Sequence, residues 1–328
     1  MSTSPAAARL PAGRHVADRL GDRLLEGLTA LASLAAIVVI ILIIIKLISG
    51  ADPAISAFGL PFLWHSIWNP STSVGVANSN VFGAAVLIYG TVVTSAAALL
   101  IAVPLGIAIG VYLALLAPGR VGAIIGPLVE LLAAVPSVIM GLWGILVLAP
   151  FMRSTIDPVL NDLFNWTGIF GTPSQTGLGV LTASVVLAIM ILPIIASISR
   201  DLFNSVPREL KDGALALGAT RWEMIRAVVL DSTRAGLAAA TILGLSRALG
   251  EAIAVTQTIG AGSAIGPLFN NGDTLASRIA EQFNGANPGR ALGSLFYLAL
   301  ILLAMEIIAN LAAQYIVRRF ERNQGRTT

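Results

Sequence analysis

Apolar residues fall in six long runs separated by shorter polar stretches, and this alternation predicts a chain that crosses a bilayer six times. The runs lie near 28–49, 82–116, 122–150, 177–199, 236–259 and 291–317. A helix rises about 1.5 Å per residue, so roughly 20 apolar residues span the hydrocarbon layer. The second and third runs exceed that length. Pro104 and Pro136 predict a kink in each, or a helix that projects beyond the lipid. Between the first two runs, residues 50–81 carry Trp64, His65, Trp68 and the stretch NPSTS, a composition suited to an anchor at the membrane–water boundary. Residues 151–176 mix apolar and polar positions and predict a short amphipathic element along the outer face. No internal repeat stands out.

The longest inner polar interval, residues 200–235, predicts two short helices. Pro207 suits a first-turn position, and Glu209 complements the positive end of the helix dipole. Ala214, Leu215 and Leu217 follow, and Gly218 can end the helix. Thr220 and Glu223 have capping-box spacing, which starts a second helix with Ile225, Val228 and Val229 on its apolar face. Such a helical elbow can dock in a groove of another protein. It can equally lie flat on lipid with its basic residues at anionic head groups, and the pattern alone does not choose.

Composition sharpens the membrane reading. Of 328 residues, 56% are hydrophobic and 11% charged, with a mean hydropathy of +0.86. Soluble domains carry about 25% charged residues, so an ordinary soluble core is excluded. The net charge of +3 matters less than its placement. With the N-terminus inside, fifteen of the 20 Lys and Arg fall on cytoplasmic segments: the N-terminal tail, Arg120, the interval from Arg200 to Arg234, and the tail from Arg318. That asymmetry predicts both termini in the cytoplasm. Residues 1–27 are polar, and the apolar run after them is too long for a signal-peptide core, so it is expected to stay as a spanning helix. The absence of cysteine excludes disulfides, thiolate metal sites and cysteine nucleophiles. His15 and His65 lack nearby ligand partners and read as surface or interfacial residues. The only lysines, Lys46 and Lys211, follow no glycine-rich phosphate loop, and no nucleophile–base arrangement appears. The chain is therefore expected to be no enzyme and to hold no metal or cofactor of its own.

One apolar stretch carries two full charges: LSRALGEAIAV, residues 245–255. A charged side chain at the centre of a span costs about 2.5–3.5 kcal/mol on insertion scales. Arg247 and Glu251, spaced i, i+4, share a helical face, and their pairing offsets part of that cost. Two apolar residues would avoid it altogether. The pair either locks helix packing or lines a path for a solute. In the second case the guanidinium fork suits two oxygens of an oxyanion, a lone arginine is weak enough to release it, and Glu251 compensates the cation while the path is empty. Glu130 precedes LLAAVPS, where Pro136 frees a backbone carbonyl; Ser137 either satisfies that carbonyl or lines the path. Glu306 and Asn310, also i, i+4, face a partner helix or the path. Gly244, Ala248, Gly250 and Ala252 offer small surfaces for close helix approach.

Residues 210–230, LKDGALALGATRWEMIRAVVL, resemble the EAA loop of bacterial ABC importer permeases, which docks on the ATPase subunit. Asp212, Gly213 and Ala214 stand at the Glu-Ala-Ala positions, Gly218 at the motif glycine, and Asp231 where the family often has proline. LIYGTVVTS (87–95), ELLAAVPSVIMGLWGILVLAP (130–150), IMILPIIAS (189–197) and LGLSRALGEAIAV (243–255) narrow the likeness to the phosphate importer permeases of PstC/PstA type, PstC more closely, over most of 82–317. Relatives commonly carry an acid within 112–118 and often a threonine at the position of Ala252.

The resemblance implies an all-α integral membrane protein of the bacterial plasma membrane with a MetI-like, type I permease core. Residues 1–27 would form a cytoplasmic tail, 28–81 the first spanning helix and an outer loop, 82–317 the core with five spans and the coupling loop 200–235, and 318–328 a second cytoplasmic tail. It implies Arg247 and Glu251 on the substrate path, with Ser137 as a further candidate. Asp212, Gly213, Ala214, Leu217, Gly218 and Ala219 would couple to the ATPase. The implied partners are a PstA-type permease, a PstB-type ATPase dimer holding ATP and Mg, a PstS-type phosphate-binding protein on loops 50–81, 151–176 and 260–290, inorganic phosphate and membrane lipid, with no nucleic acid. Three alternatives stay open: the same machinery for sulfate or molybdate, an ion-gradient-driven carrier, and a membrane scaffold or phosphate sensor.

Overall fold

A computed structural model describes residues 16–69 and 82–324. The tail through His15, the run from residue 70 to 81 and the last four residues, on which parts of the expected tails and outer loop fall, lie outside the described residues. Among the described residues the chain is helical and forms no sheet. Its helices are α1 (Val16–Phe58), α2 (Ala85–Val111), α3 (Gly119–Ala133), α4 (Ser137–Trp143), α5 (Ala149–Phe151), α6 (Asp157–Phe164) and α7 (Val180–Ser205), followed by α8 (Arg208–Ala216), α9 (Arg221–Met224), α10 (Leu230–Gly250), α11 (Ile253–Thr258), α12 (Leu275–Gln282) and α13 (Arg290–Gln324). Six helical stretches are long and apolar enough to cross a membrane: Gly21–Phe58, Ala85–Leu116, Ser137–Thr167, Val180–Ser205, Arg221–Gly250 and Arg290–Tyr315.

The chain divides into two units after Ser49. The first is the leading part of α1. Most of its leucines and isoleucines from Leu24 to Ile48 are exposed, as suits a helix surrounded by lipid or by another protein. The second unit is built around α7. Ala98 and Ala102 of α2, Ala183, Leu187, Ala188, Ile191 and Ile195 of α7, and Ala248 of α10 form one buried cluster. The alanines let the three helices approach closely, so backbone packing substitutes for bulk.

Two apolar runs are cut where sequence pattern expects continuity. The third run is not one span over 122–150. Helix α3 ends at Ala133, and α4 restarts after Pro136, whose backbone is extended (φ −58°, ψ 138°). Proline lacks an N–H and disfavours the helical region for the residue before it, so a break here replaces the expected kink. The span that follows runs through wide π-turns at Gly144–Leu148 and Met152–Ile156 into α6. The expected amphipathic element at 151–176 is thus largely the continuation of this span. The fifth run starts earlier than expected. Helix α9 passes through a π-turn at Ile225–Val229 straight into α10, which stops at Gly250 before α11 resumes.

Segments beside the N-terminal end of α7 form a dense cap. Leu268 and Phe269 donate backbone hydrogen bonds to Ile169 and Phe170, Leu181 N–H donates to Leu268 O at 2.8 Å, and the Tyr89 hydroxyl donates to Gly266 O at 2.8 Å. Phe62 stacks on Tyr297 with ring centres 4.6 Å apart, and Trp68 meets Phe82 edge-on at 4.9 Å. Arg278, its side chain only 12% exposed, pairs with Asp273, and its guanidinium lies 5.9 Å from the centre of the Trp68 ring. Burial pushes the Asp273 carboxyl above its ordinary range, while the Arg278 cation and hydrogen bonds from Ser277 and the Thr274 N–H pull it back.

Candidate functional site

The break between α10 and α11 places Arg247 and Glu251. Glu251 leaves helical geometry (φ −74°, ψ 115°), so the end of one helix and the start of the next face each other without an intervening hydrogen-bonded turn. Such a break leaves orphan carbonyls and N–H groups that side chains must satisfy. Glu251 does part of this. Its Oε1 accepts from the Ala254 N–H at 3.4 Å, at the start of α11. Its Oε2 lies 3.5 Å from the Arg247 guanidinium, and the carboxylate side chain is only 7% exposed. Arg247 sits in the last turn of α10, where a cation complements the negative end of the helix dipole. Its side chain is 47% exposed, and apart from that loose pairing its N–H groups have no partner among the described residues. A buried acid therefore leashes a cation whose donors remain free on an open face.

Helix α13 completes one wall. The Ser246 hydroxyl donates to Asn310 Oδ1 at 2.9 Å, and Glu306 Oε1 lies 3.2 Å from where a Cβ on Gly250 would stand. The pairs 246–310 and 250–306 run in opposite directions, so the two helices are antiparallel here. Asn310 thus meets a helix of its own chain, and Glu306 approaches the break. Gly250 permits that approach because it has no side chain.

Ser137 opens α4 and makes no side-chain hydrogen bond among the described residues. The carbonyl that Pro136 cannot bond, that of Leu132, accepts from the Val135 N–H at 3.3 Å, so Ser137 is not needed there. Met140 of α4 packs in one cluster with Ala254 of α11, which brings α4 against the segment that follows Glu251. No hydrogen bond joins Ser137 to Arg247 or Glu251 among the described residues.

The elbow forms at the C-terminal end of α7. Pro207 stands one residue outside α8 rather than in its first turn, and Glu209 lies in that turn. Gly218 adopts φ +89°, a left-handed conformation that costs other residues about 1–2 kcal/mol, and this ends α8. Its N–H donates to Leu215 O at 3.0 Å, and Ala219 N–H donates to Ala214 O at 3.2 Å. The Thr220–Glu223 capping box is present: Glu223 N–H donates to the Thr220 hydroxyl at 3.3 Å, and Thr220 N–H donates to Glu223 Oε2 at 2.8 Å. The Lys211 ammonium donates to Phe203 O at 2.9 Å. Burial and the nearby Arg208 lower its pKa, against the opposing pull of Asp212. Leu217 is 92% exposed, and Leu210, Leu215 and Trp222 are also exposed. Asp212, Gly213 and Gly218 are exposed beside them, with Ala214 and Ala219 half-buried. An apolar patch on an otherwise charged loop marks a contact surface.

Sequence reading missed three arrangements. These are the Glu130–Arg200 ion pair at 2.6 Å, the Asp273–Arg278 pair, and the break after Gly250. Only the last left a local trace, a glycine before the acid.

Residues 106–322 match the family described as "Binding-protein-dependent transport system inner membrane component". A protein of Mesorhizobium japonicum described as "Phosphate transport system permease protein PstC" is 40% identical over 311 residues, covering 93% of this chain and 93% of its own. One of Pasteurella multocida with the same description is 39% identical over 285 residues, covering 86% of this chain and 87% of its own. Among solved structures, a bacterial ABC transporter that imports the acidic polysaccharide alginate gives a TM-score of 0.56 at 16% identity, covering 92% of this chain and 99% of that one. An inward-facing MetNI methionine ABC transporter gives 0.52 at 20% identity, covering 71% and 95%. At such identities the structural likeness concerns the fold.

Proposed function

Because the chain belongs to the family of binding-protein-dependent transport system inner membrane components, we propose that it is the permease subunit of an ATP-driven importer of inorganic phosphate. It is a multi-pass inner-membrane component of an ABC transporter, and the phosphate specificity follows from its PstC-named relatives. The observation that carries the site is Arg247: a half-exposed guanidinium with free donors at the break between α10, which is apolar enough to span, and α11. Discontinuous spanning helices are where transporters place ion and substrate contacts.

The chemistry follows from the geometry. An oxyanion entering the path meets the Arg247 fork and exchanges water for charge-assisted hydrogen bonds worth roughly 1.5–3 kcal/mol. Glu251 holds the guanidinium when the anion has left and opposes its retention. With one cation and one acid in reach of each other, the site holds phosphate briefly and lets it pass. No covalent step is involved. The path runs between this chain and a PstA-type permease. Extracytoplasmic loops receive a PstS-type binding protein. The α8–α9 elbow, through Asp212, Gly213, Ala214, Leu217, Gly218 and Ala219, contacts a PstB-type ATPase dimer, which binds ATP and Mg and supplies the energy.

The test is reconstitution. The chain is co-purified with its partner permease and ATPase in mild detergent, placed in liposomes with the binding protein, and assayed for labelled phosphate uptake. Uptake that needs ATP and resists competition by sulfate and molybdate supports the reading. Uptake by this chain alone, without the ATPase, overturns it in favour of an ion-gradient carrier. Arg247→Ala that leaves uptake unchanged in an assembled complex removes Arg247 from the path.

A further inference from the structure

A single arginine joins α3 to the end of α7. Arg200 Nη2 lies 2.6 Å from Glu130 Oε1 of α3 and 3.0 Å from Asp201 Oδ1. It bears a full charge, yet its side chain is only 20% exposed, because it lies across α3 at Gly126. A Cβ there would stand 2.5 Å from Arg200 Nη1, so a larger residue would push the end of the guanidinium aside. Glu130 follows one helical turn after Gly126, which puts the gap and the acid on the same face of α3.

The same end of α7 is gripped by the elbow. Lys211 of α8 donates to the Phe203 carbonyl, and Phe203 is fully buried with Val206, Met224, Ile225 and Val229. The end of α7 is therefore tied to the elbow through Phe203 and to α3 through Arg200. The other face of α3 is open: Ile124, Leu128 and Leu131 are exposed. It leads into the non-helical Ala134–Pro136 joint before α4. A joint of this kind absorbs the dihedral changes of a hinge. Stability alone does not account for the pair, since an apolar pair of similar volume is often as stable as a partly buried ion pair.

We infer that the Glu130–Arg200 pair transmits displacement of the α8–α9 elbow to the α3–α4 joint. Both are positioning residues of the permeation path, and neither contacts the solute. The inference deepens the proposed function, because it takes the elbow as the ATPase contact. A charged, glycine-backed pair holds α3 at a set distance from α7, so the two move together when the elbow moves.

The absence of native cysteine makes the test direct. Spin labels at A123C on α3 and N204C on α7 report their separation in the complex assembled in liposomes, without nucleotide and with a non-hydrolysable ATP analogue and Mg. With the pair intact, the distance distribution stays narrow and unchanged between the two conditions. With Glu130→Gln it broadens and shifts on nucleotide binding. Identical behaviour of the two proteins overturns the inference. In parallel, Glu130→Gln lowers phosphate moved per ATP hydrolysed by about tenfold, and the charge exchange E130R/R200E restores it to within about threefold. A ratio within about twofold of the parent, or a loss that the exchange does not restore, also overturns it. If the parent complex hydrolyses ATP but moves no phosphate, the proposed substrate is wrong. The spin-label distances still decide the link.

Discussion

Arg247 and Glu251 sit in different surroundings, so their variants should fail differently. Arg247→Lys keeps the charge but loses the planar fork, and uptake by the assembled complex is expected to fall about tenfold. Glu251→Gln still offers an oxygen to the Ala254 N–H, so the break survives, but the guanidinium loses its counter-charge. Phosphate should then bind more tightly and leave more slowly, with the apparent KM and the maximal uptake rate both falling several-fold. Initial-rate uptake across a phosphate range checks this. Elsewhere, Arg278→Ala leaves Asp273 buried without its cation. A cost of roughly 3–5 kcal/mol is expected, read as a lowered thermal midpoint in detergent. The first pair was legible in the letters because i, i+4 spacing on a helix is local. The second was not, because Arg278 is covered in part by Trp68, a residue distant in sequence.

At the scale of elements, the elbow offers two glycines with opposite roles. Gly213 lies inside α8 with open space around it and no left-handed backbone. Gly213→Ala should stabilise α8 by about 0.5–1 kcal/mol and slow amide exchange over 208–216. Gly218 also has open space, but its φ of +89° means that any side chain there is strained. Gly218→Ala should cost about 1–2 kcal/mol and speed exchange in the same segment. Amide exchange on the intact complex reads both. The elbow was largely legible because caps are written within a few residues of the helix they bound. What was misjudged was its far side: α9 does not stop but passes through a π-turn into α10, and no residue type signals a wide turn. Pro136 was visible as an interruption, but the run around it stays apolar on both sides, so it read as a kink within one span. The break after Gly250 had weaker warning still, since glycine there also serves close packing.

At the scale of the whole molecule, neither lysine of the sequence stands in phosphate-loop spacing. Lys46 lies within α1, and the Lys211 ammonium is committed to the Phe203 carbonyl. The purified chain is expected to release no phosphate from ATP, with hydrolysis appearing only when the ATPase subunit is added; a coupled-enzyme assay checks this. The exposed elbow patch and the half-exposed Arg247 both make sense in an assembly, in which neighbouring subunits cover surfaces that a lone permease leaves open.

The amino-acid sequence by itself determined the membrane class, the six crossings, the charge asymmetry, the elbow with its caps and the Arg247–Glu251 pair. Each of these is periodic or lies within a few residues, and such signals survive without knowledge of neighbours. Tertiary structure alone decided where two apolar runs are cut, and that Arg200 meets Glu130 across 70 residues of chain. An apolar stretch reads the same whether lipid, another helix or a break lies beside it. A salt bridge between distant segments exists only once packing has brought their helices together.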